Sequence, residues 1–327
     1  MQKGVQSPDG RFPWQDLPVL VTGGAGFIGS HLVDALLEKG ARVRVLDDLS
    51  FGSLDNLEKP LAAAAIDWRQ GDIRDLGTCQ EAARGQALIF HQAAWGSVPR
   101  SMKLPAETIA VNVAGTANIF TAARDQGVGR VVYASSSSVY GESQELPKRE
   151  GGEGQAISPY ALSKVMNEDL AQVFHRCYGL ETVGLRYFNV YGPRQNPQGP
   201  YAAAVPRFLA AVAAGEPVEI YGDGEQSRDF TYVGDAVASN LRAAEAPAAA
   251  CGRAFNVGGG QSVTINDLVK RIHELQGRPL KVRHLPPREG DIRHSLASLE
   301  AVEEALGYRP MTELEEGLRK VLAGPRS

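Results

Sequence analysis

A chain of 327 residues, 43% hydrophobic and 22% charged, has the apolar content of one large globular unit or two coupled domains. Its formal charge of −4 comes from interspersed acids and bases. There is no basic stripe for nucleic acid and no polybasic block for an anionic membrane, so the partner to expect is a small molecule. Cys79, Cys177 and Cys251 are far apart without a C-x-x-C pair, which argues against a disulfide framework or zinc site and suits a reducing compartment.

Residues 1–17 lack the apolar core of a signal peptide, and no run of ~18 apolar residues follows. The expectation is a soluble, cytoplasmic protein with no membrane partner and a frayed or lightly docked leader. Val19-Leu20-Val21 then reads as a strand that stops in a glycine turn. From Phe27 to Lys39, Ile28, Leu32, Ala35 and Leu36 recur at helical spacing, and Gly40 closes the helix. Val43 to Leu46 alternates like a strand, and residues 66–70, 87–92, 131–135 and 183–188 are further strand candidates. Helical stretches separate most of them. This alternation predicts a doubly wound α/β fold, a Rossmann-type parallel sheet. Beyond Asn189 the rhythm breaks into Pro- and Gly-rich loops around shorter elements, predicting a smaller C-terminal α/β substrate-binding region. The expected organisation is a leader (1–17), a dinucleotide-binding domain (18–188, with 228–257 returning to it) and a mainly substrate-binding part (189–327). The run Pro147 to Gly154 reads as a solvated surface loop.

Thr22-Gly23-Gly24-Ala25-Gly26-Phe27-Ile28-Gly29 places glycines at 23, 26 and 29 between a strand and a helix. One glycine permits the tight turn, the next lets backbone approach a pyrophosphate, and the last lets helix pack on strand. Asp47 ends the second strand about 20 residues on, where a carboxylate accepts both hydroxyls of an adenosine ribose. An acid there repels a 2′-phosphate, so NAD is favoured over NADP. Asp72 ends the third strand, where it accepts from an adenine amino group or simply caps a loop.

Tyr160 and Lys164 share one face at the start of a helix that Pro159 begins. A phenol titrates near pH ~10, so a tyrosine base needs a nearby cation, and Lys164 supplies that charge. The same spacing also occurs in ordinary solvated helix pairs. The run Ser135-Ser136-Ser137-Ser138 ends a strand at the sheet edge where ligands bind, and Ser136 is placed to hold a substrate oxygen. Serines also end strands by bonding to backbone. The glycine loop, Asp47, Ser136, Tyr160 and Lys164 together predict a dinucleotide-dependent redox site.

From Pro18 to Pro310 the motifs TGGAGFIGSHL, FHQAA, SSSSVYG, YxxxK, LRYFNVYGPR, YGDGEQSRDFTYV and REGD resemble the extended short-chain dehydrogenase/reductase family, and within it the UDP-glucose/UDP-N-acetylglucosamine 4-epimerases. The resemblance implies that Tyr160 takes the 4-hydroxyl proton while hydride leaves C4 for the nicotinamide. The 4-keto sugar turns over, and hydride returns to its other face. It implies cofactor contacts from Gly23, Gly26, Phe27, Ile28 and Gly29, from Asp47, Asp48, Ser50 and Gly52, and from Asp72 and Ile73. Gln92, Ala93, Ala94, Asn112, Tyr160, Lys164 and Phe188 complete that set.

Similar 4,6-dehydratases and decarboxylases carry an Asp or Glu where this chain has Ser137 and Ser138, so the resemblance favours simple epimerisation. For a UDP-sugar it implies Arg228 and Arg288 on the diphosphate, Asp291 on the uridine ribose and Tyr221 beside the uracil. Asn189 and the 203–205 backbone, with Ala204 and Val205, match sugar and diphosphate contacts. Gly96, Ser97 and Val98 join Ser136, Ser137 and Tyr160 at the sugar. Ser295 aligns with a wall residue that is bulky in enzymes restricted to plain hexoses, so an N-acetylated sugar is expected to fit. His31, His91, His175, His273, His284 and His294 show no metal spacing and no metal is expected. The helices across 106–124 and 160–178 resemble those of a four-helix dimer interface, so a homodimer is expected.

Overall fold

The computed structural model describes residues 12–197, 203–287 and 292–324. Seven parallel strands make the central sheet: β1 (Pro18–Thr22), β2 (Arg42–Asp47), β3 (Ile66–Gln70), β4 (Leu88–His91), β5 (Arg130–Ser136), β6 (Glu181–Tyr187) and β7 (Arg253–Val257). Their order is β7-β6-β5-β4-β1-β2-β3, so the direction of winding reverses between β1 and β4, where a crevice opens beyond the strand ends. The central strands read as unbroken apolar runs because both faces are covered. Val19, Leu20, Val21, Leu88, Ile89 and Phe90 are all fully buried.

On one face lie α1 (Phe27–Glu38) and the later helix Val233–Glu245; on the other lie Leu76–Ala83, Gly115–Gln126 and α2 (Pro159–Tyr178). Ser158 caps α2 by accepting from the Ala161 N–H, and Gly179 ends it in the left-handed region at φ 70°, as a C-terminal glycine does. A smaller cluster packs beside the sheet edge. There the helices Ala204–Ala214 and Ile265–Gln276 cover a parallel pair, Val218–Tyr221 with Val282–Leu285, around Phe208, Ile220, Leu268 and Leu318.

Residues 12–17 of the leader take the docked alternative. Trp14 is buried against the sheet's core, and its indole N–H donates to Glu245 at 2.7 Å. The stretch 147–154 keeps Arg149, Gly151 and Glu153 at the surface, as expected of a loop, but is pinned at other points. Lys148 is buried and its N–H donates to the Leu296 carbonyl at 2.7 Å, Glu150 accepts from the Asn256 N–H at 2.7 Å, and Glu153 pairs with the buried Arg186. Its two carboxylates Glu150 and Glu153 are spent on partners distant in the chain that local polarity does not reveal.

Candidate active site

The glycine turn after β1 is shaped for close backbone approach. Gly23 has φ 70°, and a Cβ there would lie 2.6 Å from the Ala93 nitrogen; one at Gly29 would lie 2.1 Å from the Gly23 carbonyl oxygen. Helix α1 has no side-chain cap and no acid in its first turn, so its leading N–H groups face the crevice as an anion site. Gly23, Gly26, Phe27 and Ile28 keep partial exposure while Gly29 is buried, matching a division between ligand-facing and packing glycines. A pyrophosphate therefore fits this cradle.

Asp47 is buried at the tip of β2, with Oδ2 accepting from the Ala25 N–H at 3.0 Å and Oδ1 from the Leu49 N–H at 2.8 Å. Burial pushes its carboxyl above the usual range, opposed by those two bonds. One carboxylate thus ties the glycine turn to the β2 loop while keeping lone pairs for a ribose. That loop continues through Asp48, which accepts from the Ser50 N–H at 2.8 Å, to Gly52, which lies against Ala25. Asp72 accepts from the Arg74 N–H at 2.8 Å and from its guanidinium at 2.5 Å; Ile73 is buried against Gly115.

Several expected cofactor contacts have framework roles. Gln92 receives the Tyr187 hydroxyl at 3.2 Å and donates to Asn240 at 2.9 Å. Asn112 accepts from the Trp95 N–H at 2.8 Å and donates to the Ser163 hydroxyl at 3.0 Å, fixing the 93–97 loop, with Ala93 and Ala94, against α2. Phe188 requires a correction. It is fully buried with Val139 and Tyr140, its N–H donates to Val257 and its carbonyl accepts from Thr231. Its apolar ring is spent on that small cluster and exposes no surface to a ligand.

Ser136, Tyr160 and Lys164 come together where β5 meets α2. Tyr160 is hydrogen-bonded to Ser136, and the Lys164 ammonium lies 5.9 Å from the Tyr160 ring centre and donates to the Ala134 carbonyl at 2.8 Å. Burial raises the Tyr160 pKa and the Ser136 bond lowers it. Burial also pushes Lys164 down to about 8, against the opposing charge of Glu168. The ammonium is therefore cationic at neutral pH yet able to exchange its proton.

Next to this triad, Asn189, Ala204, Val205, Tyr221 and Arg228 line one cavity of about 170 Å³. The link is short: Ser136 pairs in register with Tyr187, two residues before Asn189. Arg207, Glu219, Gln226 and Phe230 line the cavity as well, and periodicity gave no sign of them. Behind it the buried Asp229 accepts from the N–H groups of Gly259, Gly260 and Ala297 at 2.6, 3.2 and 3.0 Å. Burial pushes this carboxyl up to about 6 against those bonds. Ser295 is buried on the neighbouring segment, its N–H donating to Ser227 at 3.1 Å. Gly96 and Val98 are exposed at the crevice mouth, where Ser97 caps a short helix. Arg288 and Asp291 lie outside the described residues. Among the described residues no cluster of three His, Cys, Asp or Glu could hold a metal, and no helix is long and apolar enough to cross a membrane.

The sequence profile of the family described as "NAD dependent epimerase/dehydratase family" matches residues 19–258. A UDP-glucose 4-epimerase of Mycolicibacterium smegmatis is 40% identical over 305 residues, spanning 93% of this chain and 96% of the relative. A solved UDP-N-acetylglucosamine 4-epimerase from Methanobrevibacter ruminantium, in complex with UDP-N-acetylmuramic acid, superposes with a TM-score of 0.90 at 38% identity, covering 94% of this chain and 98% of that one. A Thermus thermophilus UDP-glucose 4-epimerase in complex with NAD gives 0.83 at 36% identity, with coverage of 94% and 98%.

Proposed function

Because this chain belongs to the NAD-dependent epimerase/dehydratase family, with NAD as its cofactor, we propose that it is a UDP-sugar 4-epimerase. Its substrates are UDP-N-acetylglucosamine (UDP-GlcNAc) and UDP-N-acetylgalactosamine (UDP-GalNAc), with the plain hexoses UDP-Glc and UDP-Gal as further substrates. The observation that carries this reading is the strand end itself: Ser136 is bonded to Tyr160, and the run Ser135 to Ser138 holds hydroxyls and no carboxylate. Eliminating water from the sugar needs an acid and a base beyond the reacting carbon, and hydroxyls serve poorly as either. Removing and returning one proton needs only the pair that is present.

Bound NAD supplies the hydride acceptor and donor that carries C4 through a ketone. Tyr160 removes the 4-hydroxyl proton and gives it back. Ser136 holds the same oxygen, and Lys164 favours the phenolate by its charge. Arg228, at the cavity wall, suits the diphosphate because a guanidinium fork matches phosphate geometry. Buried Ser295 supports the N-acetyl preference because a small side chain leaves volume beside the sugar. The name of the relative from M. smegmatis supports the second reading, a preference for plain hexoses.

Exposed Leu162, Met166 and Val173 form an apolar stripe on α2, near exposed Met102 and Leu104. This supports a homodimer joined through a four-helix bundle, checked by sedimentation. A cytoplasmic setting suits Cys79 and Cys251, buried free thiols.

The test is incubation with each of the four UDP-sugars without external reductant, followed by separation of isomers. Expected is an isomer of unchanged mass and no net NADH, with Ser295→Tyr impairing the N-acetylated pair selectively. Turnover of UDP-Glc and UDP-Gal alone would overturn the N-acetyl assignment; a dehydrated product would overturn the epimerase.

A further inference from the structure

Three consecutive residues of β5 each hold a different side chain of α2. The Ala134 carbonyl accepts from Lys164 at 2.8 Å, the Ser135 hydroxyl donates to Glu168 at 2.5 Å, and Ser136 bonds Tyr160. Tyr160, Lys164 and Glu168 recur at intervals of four, so they share one helix face. The proposed reaction uses the first two and leaves Glu168 unexplained.

Glu168 is only 8% exposed. Its Oε1 and Oε2 accept from Arg186 Nε at 2.9 Å and Nη2 at 2.7 Å, a bidentate pair between α2 and β6. Arg186 Nη1 donates to the Tyr140 hydroxyl at 3.0 Å and pairs with Glu153, and Tyr140 donates to Asn256 at 2.6 Å. Packing alone would be served as well by apolar side chains, because a buried ion pair carries a desolvation cost that a hydrophobic pair avoids. Its position behind the reactive lysine suggests an electrostatic task.

We propose that Glu168, clamped by Ser135 and Arg186, is a positioning residue that biases the charge state of the Tyr160–Lys164 pair. The assignment rests on the roles given to Tyr160 and Lys164 above. The burial that depresses Lys164 is opposed by Glu168. Burial would also lower the Arg186 pKa, but its bond to Glu168 and the charges around it hold it above its ordinary value. The other titratable groups facing the cluster are His91 on β4, held neutral by burial, Tyr133 on β5 and Tyr140 just beyond it, both raised by burial, with Glu150 and Glu153 in the 147–154 stretch and Asp169 on α2. None of them bonds to Lys164 or Glu168.

Tyr160 and Lys164 exchange protons as a coupled pair, so the limbs of a pH–rate profile belong to both. Removing the negative charge in Glu168→Gln should slide the whole profile to lower pH by about one unit, and removing the positive charge in Arg186→Gln should slide it upward by a similar amount. A second readout is the tyrosinate absorbance titration of stripped enzyme, with Tyr160→Phe as the blank; its midpoint should move the same way in each variant. Glu168→Asp keeps the charge and should keep the wild-type profile.

Rates that fall at every pH without a slide, or slides in the same direction, would overturn the proposal. Should Arg186→Gln fail to fold, Glu168→Gln against Glu168→Asp decides: a slide in the first alone supports the assignment, and none overturns it. A wild type that forms no sugar isomer contradicts the proposed reaction but leaves the tyrosinate titration to judge Glu168.

Discussion

Replacing Gly29 with alanine should damage the fold and cofactor binding together. The added Cβ would sit 2.1 Å from the Gly23 carbonyl oxygen, 2.8 Å from the Gly23 carbonyl carbon and 2.9 Å from Gly24 Cα. All three are backbone atoms, so no side chain can swing aside; α1 must retreat from the turn. Overpacking of this kind costs roughly 1–3 kcal/mol, and the retreat draws the leading N–H groups of α1 off the pyrophosphate position. At tenfold per 1.4 kcal/mol, the NAD dissociation constant should rise about ten- to a hundredfold.

Gly26→Ala separates the two effects, because its Cβ meets only the Gly23 carbonyl oxygen, at 3.1 Å. Thermal melts of stripped enzyme should show a drop of several degrees for Gly29→Ala and little change for Gly26→Ala. Calorimetric titration with NAD should show weaker binding in both, since a Cβ at the partly exposed Gly26 would stand in the turn expected to cradle the pyrophosphate. A Gly29→Ala variant that melts and binds NAD like wild type would refute the packing argument.

Tyr160→Phe should cut epimerisation by about 10²- to 10⁴-fold while leaving NAD binding intact, since it removes only the proton-transfer group; retained turnover would remove the base assignment. His91 bonds Thr22 and Thr116, and burial holds it down at about 3. Its folded pKa lies below the unfolded value of 6.5, so its stabilising contribution is present above pH 6.5 and is lost as pH falls. Near pH 5 that loss is about 2 kcal/mol. Urea unfolding at pH 7.5 and pH 5 should show a loss larger by that amount in wild type than in His91→Gln, since the opposite contribution of Asp229, raised to about 6, is common to both. Arg100 lies 3.8 Å from the Phe51 ring centre and Phe51 meets Trp95 edge-on, closing the β2 loop onto the 93–97 loop. Phe51→Ala removes a stack worth about 0.5–1 kcal/mol, so NAD should dissociate several-fold faster on gel filtration; an unchanged rate would show that this bridge does not retain the cofactor.

The features legible in sequence were those carried by local spacing. The glycine turn, Asp47, Tyr160 and Lys164 announce themselves because a turn, a strand end and a helix face each fix neighbours within a few residues. Asn189, Ala204, Val205, Tyr221 and Arg228 came through resemblance, and the structure gathers all five around one cavity. What stayed hidden depends on partners distant in the chain. Glu153, Glu168 and Arg186 look like ordinary charges until three elements pack together. Gln92 is expected at the cofactor from resemblance alone, and nothing local shows that its amide also serves Tyr187 and Asn240. Trp14 had no periodic context, and its anchor lies 231 residues away.

The placement of β7 bears on how the molecule assembles during synthesis. Until residues 253–257 have emerged, β6 is an unpaired edge carrying Val183, Leu185 and Tyr187, all buried in the finished protein. Open apolar edges recruit other chains. The first 188 residues contain the glycine turn and the reactive side chains, but released alone they would carry that edge exposed. The cavity-lining segment between Asn189 and Phe230 is synthesised before the strand that seals the sheet, so translation reaches most of that cavity's wall before the sheet can close.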